Sequence, residues 1–262
     1  MASFTRQLVG RHPAAVIGSG PPVVVLTGLS PSTGIGGDVF VRGACAPLRA
    51  VTGRQLIVIN RRPDLPSPMT MGELAADLAD SLRSHLDGPV DVLGESTGGS
   101  IAQQLAADHP DLVDRLILVS TGCRLSTSTR HFQARVGDLV EGGNDRRAMA
   151  MTVSDLMPRG TRTFAYIAGW LGAHRMMDSH AAADLITTIR AEDGFDLAGA
   201  PTIDARTLIV GGRWDRFYDA ELFTETARLI PRSTLLMVPH RGHITVMSAP
   251  RTTKAVAGFL AA

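Results

Sequence analysis

The chain has 262 residues, 44% of them hydrophobic and 19% charged, which excludes disorder as the main state and suits one large core with or without an insertion. Its 26 basic and 25 acidic residues leave a net charge of +1, so no charge excess points to nucleic acid or anionic lipid. Lys254 is the lone lysine among the basic residues. Cys45 and Cys123 make no disulfide framework and lack metal-ligand spacing. The opening MASFTRQLVGRHPAAV has no apolar run long enough for a signal peptide, and no stretch approaches the ~18 apolar residues of a membrane span. The expectation is a cytoplasmic globular protein with a small-molecule substrate and no nucleic-acid or membrane partner; assembly into a homo-oligomer stays open.

An antiparallel pair near Phe4–Val9 and Ala14–Ile17 opens the chain. Short, β-branched, unalternating apolar runs follow. Val23–Leu26 runs into Thr27-Gly28, Leu56–Ile59 into Asn60, Val90–Leu93 into Gly94, and Leu116–Val119 into Ser120-Thr121-Gly122. After a long gap, Leu208–Val210 runs into Gly211-Gly212 and Leu235–Val238 into Pro239. Runs of this kind read as buried parallel strands. Helical patterns lie between them. Thr70 with Glu73 forms a capping box ahead of Leu74, Leu78 and Leu82, and Ser100–Ala107, Ala220–Leu229 and Thr253–Ala261 read as further helices. The alternation predicts an α/β fold with a mostly parallel sheet of about eight strands and helices on both faces.

From 123 to 200 the alternation stops, and the spacing predicts three or four short helices. The expected division is a core of residues 1–122 and 201–262 carrying a helical lid of residues 123–200. An insertion at the carboxyl ends of parallel strands sits over the edge where such sheets bind ligands.

Gly94-Glu95-Ser96-Thr97-Gly98 is a G-x-S-x-G pattern between a predicted strand and a predicted helix. A sharp strand-to-helix turn needs small residues on either side of its apex and pushes the apex side chain out over the sheet edge. Alone the pattern is weak; its context sharpens it. A serine hydroxyl needs a base, and the base needs an orienting carboxylate. Asp215 follows the Leu208–Gly212 strand. His240 and His243 follow the last strand. Asp219, a rival to Asp215, opens the next helix, where an N-cap role explains it.

On these three strand ends, in the order Ser96, Asp215, His243, the chain resembles the α/β-hydrolase fold superfamily, in its serine branch of esterases, lactonases and carbon–carbon hydrolases. The likeness covers nearly the whole chain outside the insertion. It implies Ser96 as nucleophile, Asp215 as acid and His243 as base; Gly242 before His243 fits the family's loop. It also implies an oxyanion hole from the N–H groups of Leu29 and Thr97. The family usually has His-Gly where this chain has Thr27-Gly28. Ser30 offers either a hydroxyl to substrate or a loop cap beside Pro31. Asn60-Arg61-Arg62-Pro63 reads as structural, and Glu95 as a supporting polar residue. Ser96 argues against the dehalogenase and epoxide hydrolase branches, which place Asp at the apex.

The implied activity is two-step acyl transfer on small to medium apolar esters or lactones, with no cofactor and no metal. The alternatives are carbon–carbon hydrolysis of a diketone-like substrate and a non-hydrolytic ligand-binding or cyclase-like member of the fold. In the insertion, Met149, Met151, Met157, Met176 and Met177 accompany Phe164, Tyr166 and Trp170. Most of these are expected to pack the lid, with Met151, Phe164 and Trp170 lining an apolar substrate pocket. His131, His174 and His180 are too widely spaced for a metal pattern on one helix.

Overall fold

The computed structural model describes residues 4–157, 159–176 and 179–262. The strands are β1 (Phe4–Val9), β2 (His12–Ile17), β3 (Pro22–Leu26), β4 (Gln55–Ile59), β5 (Val90–Glu95), β6 (Val113–Val119), β7 (Arg206–Gly212) and β8 (Ser233–Val238). They form one sheet in the order β1-β2-β4-β3-β5-β6-β7-β8. β1 and β2 pair antiparallel, as do β2 and β4, and every other neighbour is parallel. The chain leaves β3 toward β4 on one side and returns to β5 on the other. The crevice beyond the carboxyl ends of β3 and β5 is therefore the switch point, where open α/β sheets take ligands.

The helices of the core are α1 (Asp38–Ala44), α2 (Met71–Arg83) and α3 (Thr97–Asp108), then α8 (Ala220–Leu229) and α9 (Pro250–Ala261). Thr70 caps α2 as its sequence requires: its hydroxyl accepts from Glu73 N–H at 3.2 Å while the Glu73 carboxylate accepts from Thr70 N–H at 2.7 Å. Leu74, Leu78 and Leu82 are then buried against one face of the sheet with α3 and α8. The other face packs Val25, Leu93 and Val119 against Val41 of α1 and Val256 and Leu260 of α9. Each such fully buried aliphatic side chain contributes roughly 1.5–3 kcal/mol. α1 was not legible in the sequence, because Gly43 and two β-branched valines in seven residues make a poor helical stripe.

Between β6 and β7 the described residues hold α4 (Thr127–Glu141), α5 (Asp145–Leu156), α6 (Arg162–Met176) and α7 (Ser179–Asp193). The neck of this insertion is closed by backbone pairing: Leu197 N–H donates to Cys123 O at 2.8 Å, and Arg124 bridges Asp196. Asp184 of α7 accepts the N–H groups of Asp64 and Leu65, at 3.1 and 2.8 Å, which ties the insertion to the loop after β4. Its small core comprises Val136, Val140, Ala148, Met149, Ala173, Leu185 and Ile189. Among the described residues no helix is long and apolar enough to cross a membrane.

Candidate active site

The turn from β5 into α3 is built by sterics. At Gly98 a Cβ would stand 2.3 Å from Leu26 O and 2.5 Å from Thr27 O, and at Gly94 it would stand 2.6 Å from Gly99 Cα. No side chain fits at either position, so the helix start can approach the end of β3. Ser96 at the apex has φ 50° and ψ −123°, a strained conformation for a residue with a side chain. Its N–H is anchored on Val119 O at 3.1 Å.

Three strand-end residues meet there. His243 Nε2 lies 3.1 Å from Ser96 Oγ, and His243 Nδ1 lies 2.9 and 3.1 Å from the two carboxylate oxygens of Asp215. An ionised carboxylate only accepts, so Nδ1–H donates to Asp215 and Nε2 is left to accept from the serine hydroxyl. Asp215 Oδ1 also accepts the N–H groups of Phe217 at 2.9 Å and Tyr218 at 3.2 Å, which fixes the carboxylate. The Phe217 ring lies 4.8 Å from the imidazole, and the Tyr218 ring stacks on it at 6.0 Å and 15°. His240 is elsewhere: exposed, with its ring edge-on to Trp214 at 4.8 Å. Asp219 caps α8 by accepting from Leu222 N–H at 2.9 Å.

Among the described residues, the N–H groups of Leu29 and Thr97 have no acceptor. Thr97 is the first residue of α3, where a helix leaves its N–H groups unpaired and its dipole positive. The Leu29 loop is held by residues that read as structural in the sequence. Thr27 Oγ1 donates to Asn60 Oδ1 at 3.1 Å, and Asn60 Nδ2 donates to Ser32 O and Gly34 O at 2.9 and 2.8 Å. Arg61 donates to Ser30 O. Thr27 and Asn60 thus tie the loop after β3 to the end of β4. Ser30 borders the cavity, but its hydroxyl also accepts from Ser32 N–H at 3.3 Å.

Above Ser96 is a cavity of about 500 Å³. Its walls include Leu29 and Ser30 of the loop, Phe40 of α1, Phe132, Gln133 and Val136 of α4, Leu156 of α5, Phe217, and Met247. Met151, Phe164 and Trp170 are not among the wall residues. Phe164 is 83% exposed, and Trp170 is 42% exposed with the Arg146 guanidinium 4.8 Å over its ring. The reason is helix packing. α6 buries Ala165 and Ala173, and between them a Cβ at Gly169 would meet Met149 O of α5 at 2.9 Å. Close approach of the two backbones uses the small residues and turns the large ones outward. Apolar spacing alone favours the opposite face. Met177 lies outside the described residues, as do the side chains of Met176, His174 and His180.

Four further groups surround the site. Ser120, at φ 55°, donates its hydroxyl to His243 O at 2.7 Å and so holds the histidine loop. Glu95 is 4% exposed and its Oε1 has no partner among the described residues; burial pushes its carboxyl well above the usual range. The nearby Cys45 thiol is pushed up to about 12 by burial and by Glu95. Glu192 of α7 lies buried against the start of α3, accepting from Thr97 Oγ1 and Ser100 Oγ at 2.8 Å each.

A sheet of this order, with a serine at a strained strand–helix apex after β5 and an aspartate and a histidine after β7 and β8 beside it, is the framework of a hydrolase. The chain belongs to the α/β hydrolase fold family, whose model matches residues 21–250. It is 29% identical over 251 residues to a pimeloyl-[acyl-carrier protein] methyl ester esterase from Chromobacterium violaceum, covering 88% of this chain and 91% of that one. It is 23% identical over 249 residues to an sn-1-specific diacylglycerol lipase from Danio rerio, covering 86% and 74%. Among solved structures it is similar to MGS-M2, an α/β hydrolase enzyme from a Medee basin deep-sea metagenome library. The TM-score is 0.80 at 16% identity, over 99% of this chain and 98% of that one, a likeness of fold.

Proposed function

We propose that the protein is a serine hydrolase that cleaves small to medium apolar carboxylic esters, lactones included, by two-step acyl transfer. The carrying observation is the unbroken line Ser96 Oγ–His243 Nε2–Asp215, with contacts of 3.1 and 2.9 Å. His243 takes the Ser96 proton as Oγ attacks the carbonyl carbon, and Asp215 stabilises the imidazolium that forms. The oxyanion lies between the N–H groups of Leu29 and Thr97, each such donor being worth about 10²–10³-fold in rate. His243 then passes its proton to the leaving oxygen, and a water deprotonated by His243 releases the acyl group from Ser96. The names of the two curated relatives, a methyl ester esterase and a diacylglycerol lipase, support an ester substrate. The insertion acts as a lid whose α4 and α5 roof the acyl pocket.

A fluorophosphonate adds its mass to the peptide containing Ser96, and Ser96→Ala abolishes that addition; equal labelling of the alanine variant overturns the assignment.

The apolar walls predict a chain-length preference. A buried methylene is worth about 0.8 kcal/mol, so two more acyl carbons raise kcat/KM roughly tenfold until the pocket is full. Across p-nitrophenyl acetate to octanoate, Phe132→Ser or Leu156→Asn flattens that rise. Phe164→Ser and Trp170→Ser, on the outer face of α6, leave it unchanged. A flat wild-type profile rules out an apolar acyl pocket.

A further inference from the structure

Glu192 has no exposed surface. Its Oε2 accepts from Thr97 Oγ1 at 2.8 Å and from Gln133 Nε2 at 3.0 Å; its Oε1 accepts from Ser100 Oγ at 2.8 Å and from Tyr218 Oη at 3.5 Å. Gln133 Nε2 can only donate, while the Thr97, Ser100 and Tyr218 hydroxyls can each donate or accept, so the four partners fix the position of the carboxyl group. Burial is the largest effect and raises the carboxyl above the usual carboxylate range, against the lowering by the bonds from Thr97, Gln133 and Ser100. Among the described residues no Lys, Arg or His pairs with it. A carboxyl group held at depth by four polar partners is a costly way to fasten one helix to another, which apolar contact would do more cheaply.

The donors are not scattered. Thr97 follows the nucleophile and presents one of the unpaired N–H groups. Ser100 is one turn on, with its N–H on Ser96 O at 3.3 Å. Tyr218 gives its N–H to Asp215 and its ring to the face of His243. Gln133 borders the cavity on the insertion side. One carboxylate on α7 therefore touches a neighbour of every part of the site.

We propose that Glu192 is a positioning residue for acyl transfer: it holds Thr97 and Tyr218 together in the geometry that serves Ser96 and His243, and through Gln133 it links both to the wall of the acyl pocket. This rests on the hydrolase reading above. Glu192→Gln keeps the length and volume but replaces one acceptor oxygen by an NH₂, so a hydroxyl that donated to the carboxyl must turn to accept. Thr97→Val keeps the backbone N–H and removes the hydroxyl. Misplacement of reacting groups by a fraction of an ångström to an ångström costs up to about 100-fold.

The expected result is a 10- to 100-fold lower kcat in each variant, with KM within about threefold of wild type. The double variant is little worse than either single one, because the two changes break one contact. Wild-type kcat in both variants, with only a lower Tm, overturns the proposal and leaves a structural tie. Where Glu192→Gln does not fold, Thr97→Val carries the same measurements. A second readout needs no turnover: the downfield proton NMR signal of the His243–Asp215 hydrogen bond shifts or broadens in both variants. Wild-type protein that hydrolyses no ester and takes no fluorophosphonate defeats the hydrolase reading. The NMR signal then decides the positioning role alone, an unchanged signal in both variants overturning it.

Discussion

His243→Ala lowers kcat on an activated ester by about 10⁴-fold or more, Asp215→Asn alone costs about 10⁴-fold, and the pair together lose little beyond the worse of the two. The non-additivity is the informative part. Asp215 reaches the serine only through the imidazole, with 2.9 Å on one side and 3.1 Å on the other. Once the imidazole is gone, the carboxylate has nothing to orient. The amide of Asp215→Asn retains the backbone donors Phe217 and Tyr218 on its oxygen but offers no charge to the imidazolium. His240→Ala stays within about threefold of wild type, because that ring stands exposed against Trp214. Steady-state kinetics on the four variants check the set. A crippled His240→Ala beside an active His243→Ala makes His240 the base and overturns the assignment to His243.

Gly98→Ala destabilises the protein by about 3 kcal/mol or more, or prevents folding. The added carbon would stand 2.3 Å from Leu26 O and 2.5 Å from Thr27 O, and these are backbone atoms of the central strand's end that cannot swing aside. Relief requires α3 to withdraw from β3, and that movement separates Ser96 from the Leu29 loop. Stability and labelling of Ser96 therefore fall together. Gly43→Ala on α1 serves as the comparison, since no atom lies within 4 Å of the place its added methyl would take. Urea unfolding and the rate of fluorophosphonate labelling measure the two effects. A Gly98→Ala protein with wild-type values of both overturns the steric account of the turn.

The parallel strands were readable because burial on both faces writes an unbroken apolar run, and Val23–Leu26 and Leu116–Val119 each sit where such a run lies. The capping box of α2 was readable because it is a contact across three residues. The turn at Ser96 was readable because its steric demand falls on Gly94 and Gly98, two positions either side. Each of these is a short-range constraint; the grouping of Ser96 with Asp215 and His243, the last 147 residues on, was instead an expectation from the family resemblance.

What settled the rest acts over long separations. Ser120 meets His243 across 123 residues, Thr97 meets Glu192 across 95, and Thr27 meets Asn60 across 33. No local pattern marks a serine as a loop clamp or a glutamate as a buried acceptor for four donors, because the partners exist only once the sheet has assembled. The face of α6 was also undecided by its sequence. Burial of apolar area favours Phe164 and Trp170 inward, yet close packing on α5 through Ala165, Gly169 and Ala173 sends them outward. The sequence by itself determined the strands and the sharp turn, because each depends on near neighbours. The tertiary structure alone decided which side chains line the cavity and which bond around Ser96 and His243, because those depend on how helices distant in the chain dock onto the sheet.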